Sequence, residues 1–358
     1  MSIAVILGTR PEIIKFSPII RELEERGIAY YTIHTGQHYS FEMDRIFFEE
    51  LELPVPKYHL NVGSGEHGEQ TGKMLTGIEG IFKRNMPLCS LVQGDTNTVL
   101  AGSIVTSKMP VKLGHVEAGL RSFDRSMPEE VNRIVSDHLS DLLFAPTDVS
   151  RNYLLKEGIP EEKIYITGNT VVDAAYQNLE ISKRSTDIEG IVKDEEYALV
   201  TAHRQENVDN ADRLSNILSA LGTVHRENGM PVIFPAHPRT VKMMKSFGLE
   251  APEGVRVIKP VGYLEFLQLE GNASVVITDS GGVQEEACIL KVPCVTIREN
   301  TERPETIDAG SNILAGTDPD RIARSVSMMI ERKRDWKNPY GEGITANMIV
   351  EIIDDILF

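Results

Sequence analysis

Strand-length apolar runs alternate along the chain with longer stretches in which apolar residues recur at helical spacing. The runs fall at 3–7, 30–34, 88–93, 112–116, 141–145 and 163–166, and again at 197–202, 232–235, 255–258, 274–278 and 294–297. Helical patterns at 12–25, 98–108, 129–139, 211–227 and 283–290 separate them. Strands that are apolar on both faces need cover on both faces. Intervening helices supply it, so the pattern predicts parallel sheets. It runs twice, with a polar stretch at 183–196 between the two runs. The expectation is an α/β chain of two Rossmann-like, doubly wound domains, residues 1–170 and 171–341. A last helical pattern, 344–357, follows Pro339 and Gly341.

Most short polar clusters sit directly after a strand run. They are Gly8-Thr9-Arg10, Gly94-Asp95-Thr96, Glu117-Ala118-Gly119, His203-Arg204, His237-Pro238-Arg239, Asp279-Ser280-Gly281-Gly282 and Thr301-Glu302-Arg303. Open parallel sheets bind ligands outside the carboxyl ends of their strands. Two such edges facing each other would form one cleft between the domains, a common place for a small-molecule site.

The 358 residues are 41% hydrophobic and 25% charged, enough apolar content for sizeable cores without staples. A formal net charge of −16 argues against nucleic acid or an anionic membrane as a partner of the bulk surface. A small anion is compatible with that charge where cations gather locally. Arg10, Lys15, His203, Arg204, Arg239 and Arg303 all fall at or near strand carboxyl ends, and a diphosphate is the economical ligand for them. Three cysteines, Cys89, Cys288 and Cys294, without a CxxC pair, read as buried thiols of a reducing compartment. No basic leader precedes the first run and no segment approaches a membrane span, so the expected location is the cytoplasm.

Asp279-Ser280-Gly281-Gly282 lies between a strand run and a helical pattern. Glycines there let the backbone approach a ligand, and the helix N-terminus offers N–H groups and positive dipole to a phosphate. Ser280 adds a hydroxyl donor. The same letters also describe an ordinary capped turn. Gly8-Thr9-Arg10-Pro11 repeats the logic after the first run, with Pro11 suited to the first helical turn. Arg10 aims a fork of donors, and Lys15 lies about one turn further along. There is no GxxxxGK[ST], and the turn after the first run is not GxGxxG, so neither a Walker loop nor a nicotinamide cofactor is supported. Asp279-Ser280-Gly281 copies a serine-protease nucleophile only in letters, because here strand leads into helix. His115-Val116-Glu117 matches half of a zinc deaminase motif without its Pro-Cys-x-x-Cys half. Metal is therefore not expected, and His115 reads as a hydrogen-bonded strand-end residue.

GTRPEIIK at 8–15, Gly94-Asp95-Thr96, HVEAGLR at 115–121, Pro128-Glu129-Glu130, Gly168-Asn169-Thr170, DSGGVQEE at 279–286 and TERPE at 301–305 occur in this order. As an ordered set, spanning residues 1–341, they closely resemble the non-hydrolysing UDP-N-acetylglucosamine 2-epimerases. The resemblance implies two Rossmann-like domains of glycosyltransferase-B type facing across a cleft. It implies that the C-terminal helix, 342–358, joins the first domain. It also implies a homodimer acting on UDP-N-acetylglucosamine without cofactor or metal, in the supply of nucleotide sugars for polysaccharide biosynthesis. At the matching positions Arg10, Lys15, His203 and Arg303 would hold the diphosphate, along with Ser280, Gly281 and Gly282. Glu286 would take the ribose hydroxyls and Phe266 would lie near the uracil. Asp95, Glu117 and Glu129 match the catalytic carboxylates, with His203 in the same set; Asp95 and Glu117 also contact substrate. Gln37-His38 matches part of a site where some bacterial members bind a second UDP-N-acetylglucosamine as activator, while Glu66 stands where those enzymes often have glutamine.

The implied reaction inverts carbon-2 of the sugar. That carbon is not next to a carbonyl, so its proton is barely acidic, and without nicotinamide no neighbour is oxidised first. One route remains: the proton leaves as the anomeric carbon expels UDP, giving 2-acetamidoglucal, and UDP adds back with a proton on the opposite face. This route needs pre-aimed donors at the departing diphosphate, each commonly worth about 3 kcal/mol. It also needs acid and base groups on opposite faces with unequal proton affinities. Asp95, Glu117 and Glu129 fit by type and location, with the order of proton transfer left open. Asp95 also reads as a helix cap, and Glu129 as an acid favoured in a first helical turn. Glu130 is expected to be the solvated neighbour. A UDP-sugar glycosyltransferase, a non-catalytic UDP-sugar sensor and a hydrolysing epimerase are the competing functions. The carboxylate trio together with GTRP and TERPE favours the epimerase over the transferase.

Overall fold

The structure is a computed structural model that describes residues 2–37, 41–193 and 195–357. The chain divides into two compact units. One runs through Ala174 and resumes at Tyr340; the other is Ala175–Pro339.

The first unit is built on seven strands: β1 (Ile3–Leu7), β2 (Tyr30–His34), β3 (Tyr58–His59), β4 (Cys89–Gln93), β5 (Lys112–Val116), β6 (Leu142–Ala145) and β7 (Ile164–Ile166). They form one parallel sheet in the order β3-β2-β1-β4-β5-β6-β7. β1 and β4 are buried along their whole length; β1 is an unbroken apolar run, and β4 is apolar but for buried Ser90 and Gln93. One face packs Ala4, Ile6 and Val92 against Met74, Ile78 and Phe82 of the helix His67–Arg84 and Val99 and Val105 of the helix Asn97–Ser107. The strand order reverses between β1 and β4, so the turns after them open side by side. The last helix, Thr345–Leu357, packs on the helix Arg10–Glu25. Asp173 accepts from its Ala346 N–H at 3.0 Å, and Asn347 donates to Glu22 at 3.2 Å.

The second unit repeats the plan with β8 (Ala198–Thr201), β9 (Val232–Pro235), β10 (Val255–Ile258), β11 (Val275–Thr278), β12 (Cys294–Thr296) and β13 (Asn312–Leu314). Its parallel order is β10-β9-β8-β11-β12-β13, reversing between β8 and β11. Leu214, Ile217 and Leu221 of the helix Ala211–Asn228, with Ile322 and Val326 of the helix Pro319–Ile330, cover one face.

The expected pair of parallel, doubly wound sheets is present, and the eleven expected runs all became strands. β3 and β13 were not anticipated. β3, at two residues, is too short to show a period. The chain passes between units inside the helix Thr170–Ser185, ahead of the polar stretch 183–196. Among the described residues no helix is long and apolar enough to cross a membrane.

Candidate active site

The turn after β1 departs from expectation. The N–H groups of Gly8 and Thr9 each donate at 2.8 Å to Glu12, and the Thr9 hydroxyl donates to the same oxygen at 3.0 Å. These amides are therefore spent internally and cradle no phosphate. The other Glu12 oxygen accepts from Thr96 at 2.6 Å, tying the turn after β1 to the turn after β4. Burial pushes the Glu12 carboxyl above its usual range, and its donors offset this only in part. The turn contributes side chains instead: Arg10, stacked 5.8 Å from the Phe47 ring, and Lys15.

Lys15 lies one turn into the helix, with Nζ 2.6 and 2.7 Å from the two oxygens of Glu117. Asn169 Nδ2 donates to Glu117 Oε1 at 3.2 Å. Glu117, directly after β5, is buried at φ +71°, a left-handed conformation that costs a non-glycine residue about 1 kcal/mol. Neighbouring groups hold it there. Behind it, buried His115 bonds Asp137 at 2.7 Å and the Gly94 carbonyl at 2.9 Å. Asp137 in turn pairs with Arg121 at 2.7 Å. Burial opposes charge on His115, but Asp137 and the Gly94 carbonyl outweigh it and raise its pKa. His115 is thus the hydrogen-bonded strand-end residue expected. The Gly168-Asn169-Thr170 motif supplies the other support. Gly168 has φ +89°, and a Cβ there would lie 2.8 Å from Thr345 Oγ1, so only glycine admits the C-terminal segment. Asn169 then donates its N–H to the Tyr340 carbonyl at 3.0 Å while its side chain reaches Glu117.

Asp95 follows β4, and its carboxylate lies 2.5 Å from Arg133. It is not the helix cap, because Thr96 accepts from Val99 N in that role. Glu129, in the first turn of the helix Pro128–Leu139, is exposed. With Asp95, Asn132, His67, Gln70 and Gln37 it lines a cavity of about 240 Å³. Glu130 corrects the expectation of a solvated neighbour: it is 1% exposed. It accepts from Ser122 N at 2.9 Å, Ser122 Oγ at 3.0 Å and Phe123 N at 3.0 Å, and it pairs with Arg133 at 2.9 Å. Adjacent positions on a helix point about 100° apart, so one acid closes the preceding loop while the other faces the cavity. Arg133, which the sequence left unmarked, joins Glu130 to Asp95. Gln37 is buried, accepting from Thr98 N at 3.2 Å and Oγ1 at 2.9 Å. His38 lies outside the described residues.

In the second unit, buried Asp279 staples the turn after β8 to the turn after β11. It accepts from the N–H groups of His203 and Arg204 at 3.0 Å each and from Asn207 at 3.1 Å, and lies 3.2 Å from His203 Nδ1. Burial pushes its carboxyl up, but these partners outweigh it and hold it below the usual range. An acceptor at Nδ1 keeps a proton on that nitrogen, and the His203 side chain is 46% exposed.

Ser280 is the N-cap of the helix Gly281–Ile289, yet its side chain makes no cap bond, unlike Thr96, Thr147, Asn210 and Asp318 on their helices. The first N–H groups of this helix are therefore not met by its own cap side chain. Arg303 lies over this helix start: a Cβ on Gly281 would be 4.0 Å from its Cζ. Arg298, also unmarked in the sequence, is buried and grips Glu302 bidentately at 2.7 and 2.9 Å. That hold pulls the Glu302 pKa down to about 2. Glu286 accepts from Tyr263 Oη at 3.2 Å, and Phe266 packs on the cluster containing Val283 and Ala287. Arg204 donates to the Asp279 carbonyl and Arg239 pairs with Asp209, so both of these strand-end cations serve local structure. The three cysteines are buried free thiols.

The family model for UDP-N-acetylglucosamine 2-epimerase matches residues 21–354. UDP-N-acetylglucosamine 2-epimerase of Methanocaldococcus jannaschii is 55% identical over 361 residues, covering 99% of each chain. A solved structure of the Methanocaldococcus jannaschii UDP-GlcNAc 2-epimerase in complex with UDP-GlcNAc and UDP is 54% identical, covers 99% of this chain and 100% of that one, and superposes with a TM-score of 0.83. UDP-2,3-diacetamido-2,3-dideoxy-D-glucuronate 2-epimerase of Pseudomonas aeruginosa is 41% identical over 357 residues, covering 99% of each chain. The fold class is α/β, two Rossmann-like units of glycosyltransferase-B type.

Proposed function

Because this chain belongs to the UDP-N-acetylglucosamine 2-epimerase family, we propose that it interconverts UDP-N-acetylglucosamine and UDP-N-acetylmannosamine by eliminating UDP and adding it back through 2-acetamidoglucal. The observation that carries this reading is Glu117, buried in a strained conformation at the end of β5 and gripped by Lys15 and Asn169. A strained acid that its surroundings over-determine is expected of a reacting group, not of a packing one.

The first amides of the helix at Gly281 and Gly282 and the Ser280 hydroxyl, with Arg303 and His203, take the diphosphate. Glu286 accepts the ribose hydroxyls and Phe266 lies by the uracil. One acid of the set Asp95, Glu117 and Glu129 receives the carbon-2 proton. The electrons of that C–H bond become the C1–C2 double bond, and the C1–O electrons leave with UDP. Charge then grows on the β-phosphate, where each pre-aimed donor is worth about 3 kcal/mol. In the return step a UDP oxygen attacks C1 and a protonated acid delivers its proton to the other face of C2. Identity to the Methanocaldococcus jannaschii enzyme exceeds that to the diacetamido-glucuronate enzyme, which supports the simpler sugar as substrate.

The test is incubation of the purified protein with UDP-N-acetylglucosamine alone, followed by proton and phosphorus NMR. UDP-N-acetylmannosamine should accumulate with no net release of UDP. Free UDP with N-acetylmannosamine would mean hydrolysis. Turnover only with an added acceptor would mean transfer, and turnover only of the diacetamido-glucuronate nucleotide would mean another sugar.

A further inference from the structure

Glu285 sits beside the diphosphate site without a role in the reaction. It lies one turn along the helix Gly281–Ile289 from Gly281, on the same side, and is buried. Its carboxylate is 2.7 Å from Arg303 Nε. A second hold on that guanidinium comes from the Glu302 carbonyl, which accepts from Nη1 at 3.0 Å. Glu302 itself is gripped by Arg298. The guanidinium carbon lies 4.0 Å from a Cβ built on Gly281. One helix therefore presents its first amides and, one turn on, the anion that holds a loop arginine over them.

A buried carboxylate here has an evident cost. It repels a diphosphate and neutralises part of the Arg303 charge, so on charge alone the site would bind better without it. Its benefit is geometric. Arg303 stands on a loop, and a side chain already locked in its binding geometry loses less freedom when ligand arrives. We propose that Glu285 is a positioning residue for nucleotide binding, fixing the Arg303 guanidinium over the start of the Gly281–Ile289 helix. The proposal rests on the diphosphate lying at that helix start, as in the proposed function.

A double-mutant cycle measured by calorimetry with UDP tests it. Arg303→Ala should weaken UDP about tenfold, the worth of one charge-assisted contact. Glu285→Gln, of the same shape without the charge, should weaken it about threefold to tenfold on the same grounds. The double variant should bind no more weakly than Arg303→Ala alone. Glu285→Ala in the same cycle should couple in the same way, with thermal melting used to confirm folding. Tighter or unchanged UDP binding by both Glu285 variants overturns the proposal, as does a Glu285 effect that persists in the Arg303→Ala background. Unchanged binding by Arg303→Ala instead overturns the placement of the diphosphate, and the proposal with it.

Discussion

Lys15 and Glu117, 102 residues apart in the chain, meet as an ion pair in which the ammonium touches both carboxylate oxygens, at 2.6 and 2.7 Å. The helix after β1 and the turn after β5 are thereby joined at Glu117. Lys15, which the resemblance sets at the diphosphate, is here paired with Glu117.

Removing one member of such a pair strands the other in a poorly solvated place. Lys15→Met should cost roughly 2–3 kcal/mol in urea unfolding, less than a fully buried pair because Lys15 is partly exposed. Glu117→Gln should abolish carbon-2 exchange while leaving UDP affinity intact, since the nucleotide contacts proposed here lie mainly on the second unit. A Glu117→Gln protein that still exchanges the carbon-2 proton would remove Glu117 from the chemistry.

The adjacent acids of the Pro128–Leu139 helix should separate cleanly. Glu129→Gln should keep stability within about 0.5 kcal/mol and lower turnover on the order of 10²–10⁴-fold. Glu130→Gln should cost about 1–3 kcal/mol at pH 7 by leaving buried donors short of an acceptor. Burial pushes the Glu130 carboxyl up, but the Ser122 and Phe123 amides and Arg133 outweigh it, and its pKa falls below the ordinary value of 4.5. A lowered native pKa means the contribution is complete above that ordinary value and lost as pH falls through the native one. Unfolding curves of Glu130→Gln and the natural protein should therefore converge in acid.

Glu270 carries the opposite sign. It is 0% exposed and lies near Glu286. Burial, reinforced by the Glu286 charge, raises its pKa well above 4.5. The folded chain then holds a proton that the unfolded chain releases, so this group's contribution falls as pH rises from about 4.5 towards the native pKa. Glu270→Met should raise stability at pH 7 by on the order of 1–2 kcal/mol, and the gain should vanish near pH 4. A gain that does not change with pH would contradict the proton assignment.

Much of this was legible in the chain itself. β1, β4, β8 and β11 are almost wholly buried and had to be mainly apolar runs, and the polar residues after them had to lie at the strand ends. What escaped notice acts on other side chains. Glu12 takes the Gly8 and Thr9 amides that were expected to face phosphate. Arg133 joins two acids, Arg298 pins the Arg303 loop, and Glu285 holds Arg303 itself. Their partners are set by how turns from separate strands converge, which no local spacing encodes. Glu129 and Glu130 look alike in sequence and differ only in which side of a helix each one occupies.

The central claim is that a carboxylate takes the proton from carbon-2 and a different acid returns one from solvent. Turnover of UDP-N-acetylglucosamine in deuterium oxide, read by NMR at carbon-2, tests it most directly. Both the product UDP-N-acetylmannosamine and the recovered substrate should carry deuterium at that carbon. UDP-N-acetylmannosamine formed with its original carbon-2 hydrogen would contradict the claim.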